Sequence, residues 1–230
     1  MGLINWGVPE DYVLQLAKAT SANCFVETGT FRGDTTRWAS RHFEQVYTVE
    51  LSEDLFNANA TSFTALKNVT PLLGDSREHL RQLARTLPKT IFWLDAHWCG
   101  EFAAVGLDDQ CPLLGEIAAL QECWDRAYIL VDDARFFLAP PAPPHRIENW
   151  PTMSEIVKAL DRGADRFVAT FEDIIVSLPA DAREVTTRYI HSGGSLNERV
   201  LGISRAAAQP TRPSLYRTLR RLARTSFGPV

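Results

Sequence analysis

The sequence predicts a doubly wound α/β fold, in which helices cover both faces of a mostly parallel seven-stranded sheet. Short apolar runs rich in β-branched residues alternate with segments of helical periodicity along most of the chain. The last two apolar runs are separated only by Glu172 and Asp173, which suits a hairpin and is too short for a helical crossover. The sheet is therefore predicted to end in an antiparallel strand.

Length and composition agree with a single globular domain. The chain has 230 residues, of which 45% are hydrophobic and 23% charged, enough to bury a sizeable core. The formal net charge is −4, which argues against nucleic acid as the main partner, because phosphate binding needs a basic surface. No nucleic-acid partner is expected.

Targeting signals are not evident in the sequence. Met1–Gly7 does not resemble a signal peptide, and no run approaches the roughly 18 apolar residues of a transmembrane helix. The four cysteines include no C-x-x-C pair, which is the usual sign of a zinc ribbon or redox motif. We expect a cytoplasmic protein with free thiols.

The predicted elements begin with a helix near Glu10–Ala19. Later helices have recognisable starts: Asp34 and Ser52 are candidate N-caps, while Asp75–Glu78 and Thr152–Glu155 resemble capping boxes. Apolar residues at helical spacing follow these caps. The predicted strands are Cys24–Thr28, Val46–Glu50, Val69–Leu73, Thr90–Asp95, Ala127–Asp132, Phe167–Phe171 and Ile174–Leu178.

Three segments fall outside this alternation. Ala96–Gln110 and Ala134–Trp150 lack periodicity and follow strand ends, where ligands bind in open α/β sheets, so we expect lids there. From Arg205 the chain has six arginines and no acidic residue. We therefore divide it into a domain at 1–204 and a basic amphipathic tail at 205–230, which could dock on the domain or on a second subunit. The lids or the tail could accordingly support a homodimer. A role of the tail at a membrane surface or on RNA is the alternative.

The strongest functional motif lies between the first strand and the next helix, at Glu27–Gly33. Gly29 permits a tight strand-to-helix turn and close approach of a ligand, and Gly33 permits close packing at the helix start. The spacing matches neither the dinucleotide fingerprint nor a P-loop. A plain glycine turn remains an alternative.

Acidic residues also end the second and third strands. Glu50 could accept hydrogen bonds from both hydroxyls of a ribose. Asp75 could contact an adenine amino group, although it could equally be only a helix cap. Acids and glycines at three successive strand ends point to a nucleoside-containing cofactor.

On these motifs, residues 24–133 resemble the class I S-adenosylmethionine-dependent methyltransferases, and the hairpin at 167–178 resembles the reversed last strand of that fold. The resemblance implies a Rossmann-like methyltransferase fold that binds S-adenosylmethionine. It implies the following cofactor-binding residues: Glu27, Gly29, Thr30 and Gly33 at the methionine end, Glu50 at the ribose, Asp75 and Ser76 near the adenine, and Asp95.

The fourth and fifth strands end in three further carboxylates, Asp95, Asp132 and Asp133. Clustered carboxylates repel one another, and their hard oxygen atoms favour Mg²⁺ or another divalent cation. The pattern is similar to that of metal-dependent O-methyltransferases, which implies that these three residues are metal ligands. Without a metal, Asp95 and Asp132 would instead be cofactor contacts and caps.

The expected activity is methylation of a small hydroxylated acceptor. A cation would lower the pKa of the acceptor hydroxyl, and His97, close to Asp95, is the candidate base. We therefore expect Asp95 and His97 to be catalytic. Two alternatives remain: a metal-independent methyltransferase, and a non-catalytic binding protein on the same scaffold.

Overall fold

In the computed structural model, residues 7–98, 109–139, 142–162 and 165–192 are described, and all of them belong to one unit, Met1–Gly194. They form a seven-stranded sheet with the strand order β3-β2-β1-β4-β5-β7-β6. Strand β7 runs antiparallel to both of its neighbours, and the other pairings are parallel, as predicted. The strands are β1 Cys24–Thr28, β2 Gln45–Glu50, β3 Val69–Leu73, β4 Thr90–Leu94, β5 Ala127–Val131, β6 Phe167–Phe171 and β7 Ile174–Leu178.

Eight α-helices surround this sheet in the described part of the chain. They are α1 Glu10–Thr20, α2 Asp34–Ala39, α3 Glu53–Phe63, α4 Ser76–Leu83, α5 Leu113–Ala119, α6 Ala134–Leu138, α7 Met153–Leu160 and α8 Arg183–His191. Single 3₁₀ turns occur at Gln121–Cys123, Ile147–Asn149 and Ala180–Ala182. Among these helices, none combines the length and the apolar character needed to cross a bilayer.

The core consists of two apolar layers, one on each face of the sheet. Alternate residues of the central strands point to opposite faces, so Phe92 packs under α4, α5 and α7, while Ile91 and Trp93 pack under α1, α2 and α8. Strands β1, β4, β5 and β7 are buried along their whole length. Burial on both faces explains why these strands are continuous apolar runs in the sequence.

Of the N-caps predicted from the sequence, those at Ser52 and Thr152 are confirmed and that at Asp34 is not. Ser52 caps α3 by accepting the amide of Leu55 at 3.3 Å, and Thr152 forms a capping box with Glu155. The prediction for Asp34 is wrong, because Gly33 is the residue before α2 and Asp34 lies inside the first turn.

Asp75 does cap α4, because its side chain accepts a hydrogen bond from the amide of Arg77 at 2.8 Å. The predicted capping box between Asp75 and Glu78 does not form.

The hairpin between β6 and β7 also anchors the edge of the sheet. Glu172 and Asp173 both adopt left-handed backbone conformations, as a two-residue type I′ turn requires. The carbonyl of Asp173 accepts the amide of Ala134 at 2.8 Å, and its carboxylate accepts the amide of Arg135 at 2.9 Å. The hairpin therefore holds the start of α6, a helix in a segment that we had expected to be irregular.

Part of the first predicted lid (residues 99–108) and the predicted tail at 205–230 lie outside the described residues.

Candidate active site

The carboxyl ends of β1 to β5 meet at one edge of the sheet, where the strand order places a crevice. The chain leaves β1 towards β2 and later enters β4 on the other side of β1, so the direction of the strand order reverses at β1. Ligands bind at such a point in open α/β sheets. The predicted site residues lie at the ends of β1 to β5 or in the loops after them, which places them along this edge.

Close packing accounts for both glycines of the turn after β1. Gly29 has φ +82°, and a Cβ there would lie 2.3 Å from the carbonyl oxygen of Asp95. At Gly33, with φ +73°, a Cβ would lie 2.6 Å from Cζ of Phe63. The turn therefore sits directly against the loop after β4 and against α3. A contact of Gly29 or Gly33 with a cofactor stays a prediction.

Glu27 lies beneath this turn and is only 2% exposed. Its Oε2 atom accepts hydrogen bonds from the hydroxyls of Thr36 and Thr48, the latter at 2.7 Å, and Thr48 also contacts the Thr30 hydroxyl at 2.6 Å. Burial raises the pKa of Glu27 to about 7, although the hydroxyl groups of Thr36 and Thr48 oppose the shift. Glu27 thus ties β1 to β2 and α2.

Glu50 is held in place at the end of β2. Its Oε2 atom accepts the amide of Phe31 and its Oε1 atom the amide of Ser52, both at 2.9 Å. No salt bridge pairs Glu50 with a cation of the described chain. Because each carboxylate oxygen can accept more than one hydrogen bond, both oxygens keep capacity for further donors. Two backbone amides therefore hold an acceptor at the crevice that suits a pair of hydroxyl groups.

Asp75 is already engaged by a neighbouring arginine. Its carboxylate oxygens accept hydrogen bonds from Nε of Arg77 at 2.9 Å and from Nη2 of Arg77 at 2.6 Å. Arg77 also donates a hydrogen bond to Asp109 at 2.7 Å. Hydrogen bonds from Arg77 hold the pKa of Asp75 below its ordinary value. Ser76, the next residue, is buried. The sequence analysis did not identify Arg77.

The structure places His97 between Asp133, to which it is hydrogen-bonded, and Asp95, which lies within ion-pair distance. Nε2 of His97 lies 2.8 Å from Oδ2 of Asp133, and Nδ1 of His97 lies 3.4 Å from Oδ1 of Asp95. Nη1 of Arg135 contacts Oδ1 of Asp133 at 2.5 Å and also contacts Asp173. The hairpin turn is therefore linked through Arg135 to the predicted catalytic histidine.

The three carboxylates at the ends of β4 and β5 differ in their electrostatics. Burial, together with the charges of Asp132 and Asp133, raises the pKa of Asp95. Burial and the charge of Asp133 raise the pKa of Asp132 to about 8. Burial also acts on Asp133, but His97 and Arg135 outweigh it and lower the pKa of that residue. Among these three carboxyls, Asp133 therefore differs from Asp95 and Asp132 in the direction of its pKa shift.

The predicted metal ligands are not gathered around a common point in this arrangement. Within residues 7–98, 109–139, 142–162 and 165–192, no three acidic, histidine or cysteine side chains form a cation site. Each oxygen of Asp133 has a partner, and Oδ1 of Asp132 accepts the amide of Asp133 at 2.7 Å. A cation bound by Asp95, Asp132 and Asp133 would compete with His97 and Arg135 for the oxygens of Asp133.

Aromatic side chains enclose His97. Its ring packs edge-on against Phe136 and Trp150, with centroid distances of 5.8 and 5.6 Å. His145 packs against Trp98 at 4.7 Å and against Trp150 at 5.6 Å. We call Trp98, Phe136, His145 and Trp150 the aromatic wall.

Glu116 is a buried acid that the sequence analysis also missed. It is 1% exposed on α5 and lines a small cavity together with His97 and Asp132. Its position could have been found, because Glu116 lies three residues after Leu113 and so interrupts the buried stripe of α5.

Comparison with known proteins identifies the fold but no family by sequence. No protein-family model matches the chain. No curated protein matches it either. Among solved structures, the O-methyltransferase TomG from Streptomyces achromogenes, involved in tomaymycin synthesis and in complex with SAM, is 15% identical, with a TM-score of 0.51 over 76% of this chain and 82% of that one.

Two further solved structures are similar over 76% of this chain. A candidate caffeoyl-CoA O-methyltransferase from Staphylococcus aureus is 11% identical, with a TM-score of 0.55 and 85% of its chain covered. A candidate O-methyltransferase from Klebsiella pneumoniae is 14% identical, with a TM-score of 0.50 and 82% covered. The chain thus has the Rossmann-like methyltransferase fold, as predicted.

Proposed function

We propose that this protein is an S-adenosylmethionine-dependent O-methyltransferase that acts on a small hydroxylated molecule. Glu50 carries the proposal: its carboxylate, held by the amides of Phe31 and Ser52, is an acceptor in place at the crevice. The ribose of the cofactor presents two neighbouring hydroxyl groups that match it. The shared fold supports this proposal, and the S. achromogenes protein has SAM bound.

The remaining cofactor contacts would come from the loops around Glu50. Gly29, Thr30 and Gly33 would shape the methionine end of the pocket, and Glu27 would support it from beneath. Ser76 and Asp75 would lie on the adenine side, and Asp95 beside the sulfonium. When bound, S-adenosylmethionine supplies an electrophilic methyl group attached to sulfur.

Asp95 and His97 would act together as the proton acceptor. The side chain of Asp95 is 30% exposed and that of His97 only 8%, so the acceptor hydroxyl reaches Asp95 first. Nδ1 of His97 lies 3.4 Å behind it, and Asp133 holds the opposite ring nitrogen. As the acceptor oxygen forms its bond to the methyl carbon and the carbon–sulfur bond breaks, the hydroxyl proton passes to this pair.

The aromatic wall would limit the acceptor to a small molecule and exclude water. Phe136 and Trp150 pack on each other at 5.6 Å beside His97. Gln110 fastens the wall, because its Oε1 atom accepts Nε1 of Trp150 at 3.3 Å and its carbonyl accepts the amide of Trp98 at 2.8 Å. A homodimer through the lids or the tail stays a prediction.

A metal-dependent form of the same reaction is the second candidate. It is supported by the position of Asp95, Asp132 and Asp133 after the neighbouring strands β4 and β5. A divalent cation such as Mg²⁺ would relieve their repulsion and polarise the acceptor hydroxyl. The metal-independent form leaves Asp133 paired with His97 and Arg135 as observed, and we favour it for that reason.

Transfer of a labelled methyl group tests the proposal. The protein would be incubated with methyl-labelled S-adenosylmethionine and a panel of phenols, catechols and sugars, with a chelator or with added Mg²⁺. We expect label in at least one acceptor, and a loss of at least about 100-fold in Asp95→Asn, since general-base catalysis is worth about 10²–10⁴-fold. The matched control is the exposed Asp34→Asn.

Three results would change the conclusion. Cofactor binding without transfer to any acceptor would favour a non-catalytic binding protein. Activity that disappears with the chelator and returns with Mg²⁺ would favour the metal-dependent form. Label in an amine instead of a hydroxyl compound would contradict O-methylation.

A further inference from the structure

Glu116 on α5 is an acid whose burial needs a physical explanation. It is 1% exposed, and Oε1 has no hydrogen-bond partner among the described residues. A buried carboxyl oxygen without a partner is unfavourable, because it has lost water and gained nothing in return. Such atoms are uncommon in folded proteins and often mark a functional site.

The surroundings of Glu116 place it near the carboxyl ends of four strands, β1, β3, β4 and β5. The hydroxyls of Ser76, after β3, and Thr28, at the end of β1, are close enough to offset part of the rise that burial causes in the pKa of Glu116. The cavity beside it is lined by His97, after β4, and by Asp132, after β5.

The size of this cavity restricts what can enter it. It has room for about one water-sized group, so a whole ring does not fit. A single amino group at the edge of a ring would fit. The neighbouring carboxyl oxygen of Glu116 would accept its hydrogen bond.

Arg77 removes the competing acceptor at this edge. It donates four hydrogen bonds to the two oxygens of Asp75, from its amide, Nε and Nη2. The same side chain packs against α5, since a Cβ on Gly115 would lie 2.6 Å from Cδ of Arg77. Asp75 is therefore committed to the protein, while Glu116 keeps an unpaired oxygen.

We propose that Glu116, and not Asp75, accepts the amino group of the cofactor's adenine. The inference rests on the proposed function, because it assumes that the crevice binds an adenosyl group. The ring stays in the crevice, and its amino group enters the cavity that Glu116 and His97 line. Glu116 is then a residue that distinguishes adenosine from nucleosides with an oxo group at the same position.

Titration calorimetry with two ligands tests this assignment without any need for activity. S-adenosylhomocysteine carries the amino group, and S-inosylhomocysteine carries an oxo group in its place. We expect the wild-type protein to prefer the first by about 10- to 100-fold, as a hydrogen bond to an acidic group allows. Glu116→Leu should lose this preference, and Glu116→Gln, whose amide oxygen still accepts, should keep it.

Asp75→Asn is the comparison variant, and it should weaken both ligands alike without changing their ratio. The unfolding temperature provides the check on folding: Glu116→Leu should not lower it, since leucine removes a buried unpaired acid at similar volume. Loss of the preference with an unchanged unfolding temperature separates ligand recognition from a structural role.

Two results would overturn the inference. A preference that survives in Glu116→Leu, or one that disappears in Asp75→Asn, would remove Glu116 from adenine recognition while leaving the proposed function intact. If the wild-type protein bound neither compound, the proposed function would fail and the inference with it.

Discussion

Gly29→Ala should destabilise the protein through two separable effects. The first is the backbone conformation, because φ +82° is left-handed and costs about 1 kcal/mol for a residue with a Cβ. The second is a collision, since the new Cβ would lie 2.3 Å from the carbonyl oxygen of Asp95 and 2.9 Å from its carbonyl carbon. Both contacts are with backbone, so the loop after β4 must move, and overpacking of this kind costs about 1–3 kcal/mol more.

Gly7→Ala is a matched control for the backbone effect. Gly7 has φ +86°, but a Cβ there would meet only the Thr35 hydroxyl, at 3.6 Å. We therefore expect a loss of about 1 kcal/mol in Gly7→Ala and about 3 kcal/mol in Gly29→Ala. In a chain of this size the larger loss corresponds to roughly 6–12 °C in the unfolding temperature.

Equilibrium unfolding in urea measures both variants directly. The difference between them isolates the collision, because the two glycines share nearly the same φ. If Gly29→Ala lost no more stability than Gly7→Ala, the close contact between the turn after β1 and the loop after β4 would be refuted.

Three further predictions concern buried charges. Glu27→Gln should be more stable than wild type by up to roughly 3 kcal/mol at pH 8 and no more stable at pH 4. The pKa of Glu27 is raised to about 7 in the folded protein, so wild type loses stability as pH rises from about 4.5 to 7. Equal pH–stability curves for the two proteins would contradict this. Asp133→Asn should lower the free energy of unfolding by about 3 kcal/mol at pH 7. The difference should shrink below about pH 4, because wild type then gains a proton on a carboxyl whose pKa is lowered in the folded protein. A difference that stays constant in urea titrations across pH would contradict this. Arg166→Met should lower the free energy of unfolding by about 3 kcal/mol. Arg166 donates hydrogen bonds to the hydroxyl and carbonyl of Ser177 and to the carbonyl of Trp124, and the variant loses them. A change within about 0.5 kcal/mol would indicate that these bonds contribute nothing.

The strands could be predicted from sequence because burial determines their composition. Four of the seven predicted strands match the structure at both ends, and the other three differ from it by one residue at one end: β2 begins one residue earlier, and β4 and β5 each end one residue earlier. Strands buried on both faces are uninterrupted apolar runs, which are visible without any knowledge of their neighbours. The position of β7 between β5 and β6 depends on tertiary pairing, and only the hairpin itself was predictable.

The helices were harder to predict where backbone geometry decides their ends. The aspartate in Gly33–Asp34 resembles an N-cap, but the left-handed glycine before it places it one residue inside the helix. Helix α6 has only five residues and precedes a proline-rich segment, so its periodicity is too short to detect.

In the candidate site, too, some features could be predicted from the sequence and others depend on tertiary contacts. Acids at strand ends were predictable, because parallel strands end at one edge of the sheet. Their partners were not, since the pairing of Arg77 with Asp75 and of Arg135 with Asp133 depends on how loops and side chains settle. Arg77 and Arg135 therefore determine which carboxylates remain available to bind a ligand. Their positions affect the proposed chemistry more than an error of one residue at a strand end would.

Calorimetric titration of S-adenosylhomocysteine into wild type and Glu50→Ala is the decisive test of adenosyl binding at this sheet edge. We expect wild type to bind the ligand and Glu50→Ala to lose at least about 10-fold in affinity, as expected for hydrogen bonds to a charged group. The exposed control Glu53→Ala should change the affinity little. Urea unfolding of each variant would show that the fold is retained. Absence of binding by wild type, or equal affinity in Glu50→Ala, would contradict the placement of an adenosyl group at this edge of the sheet.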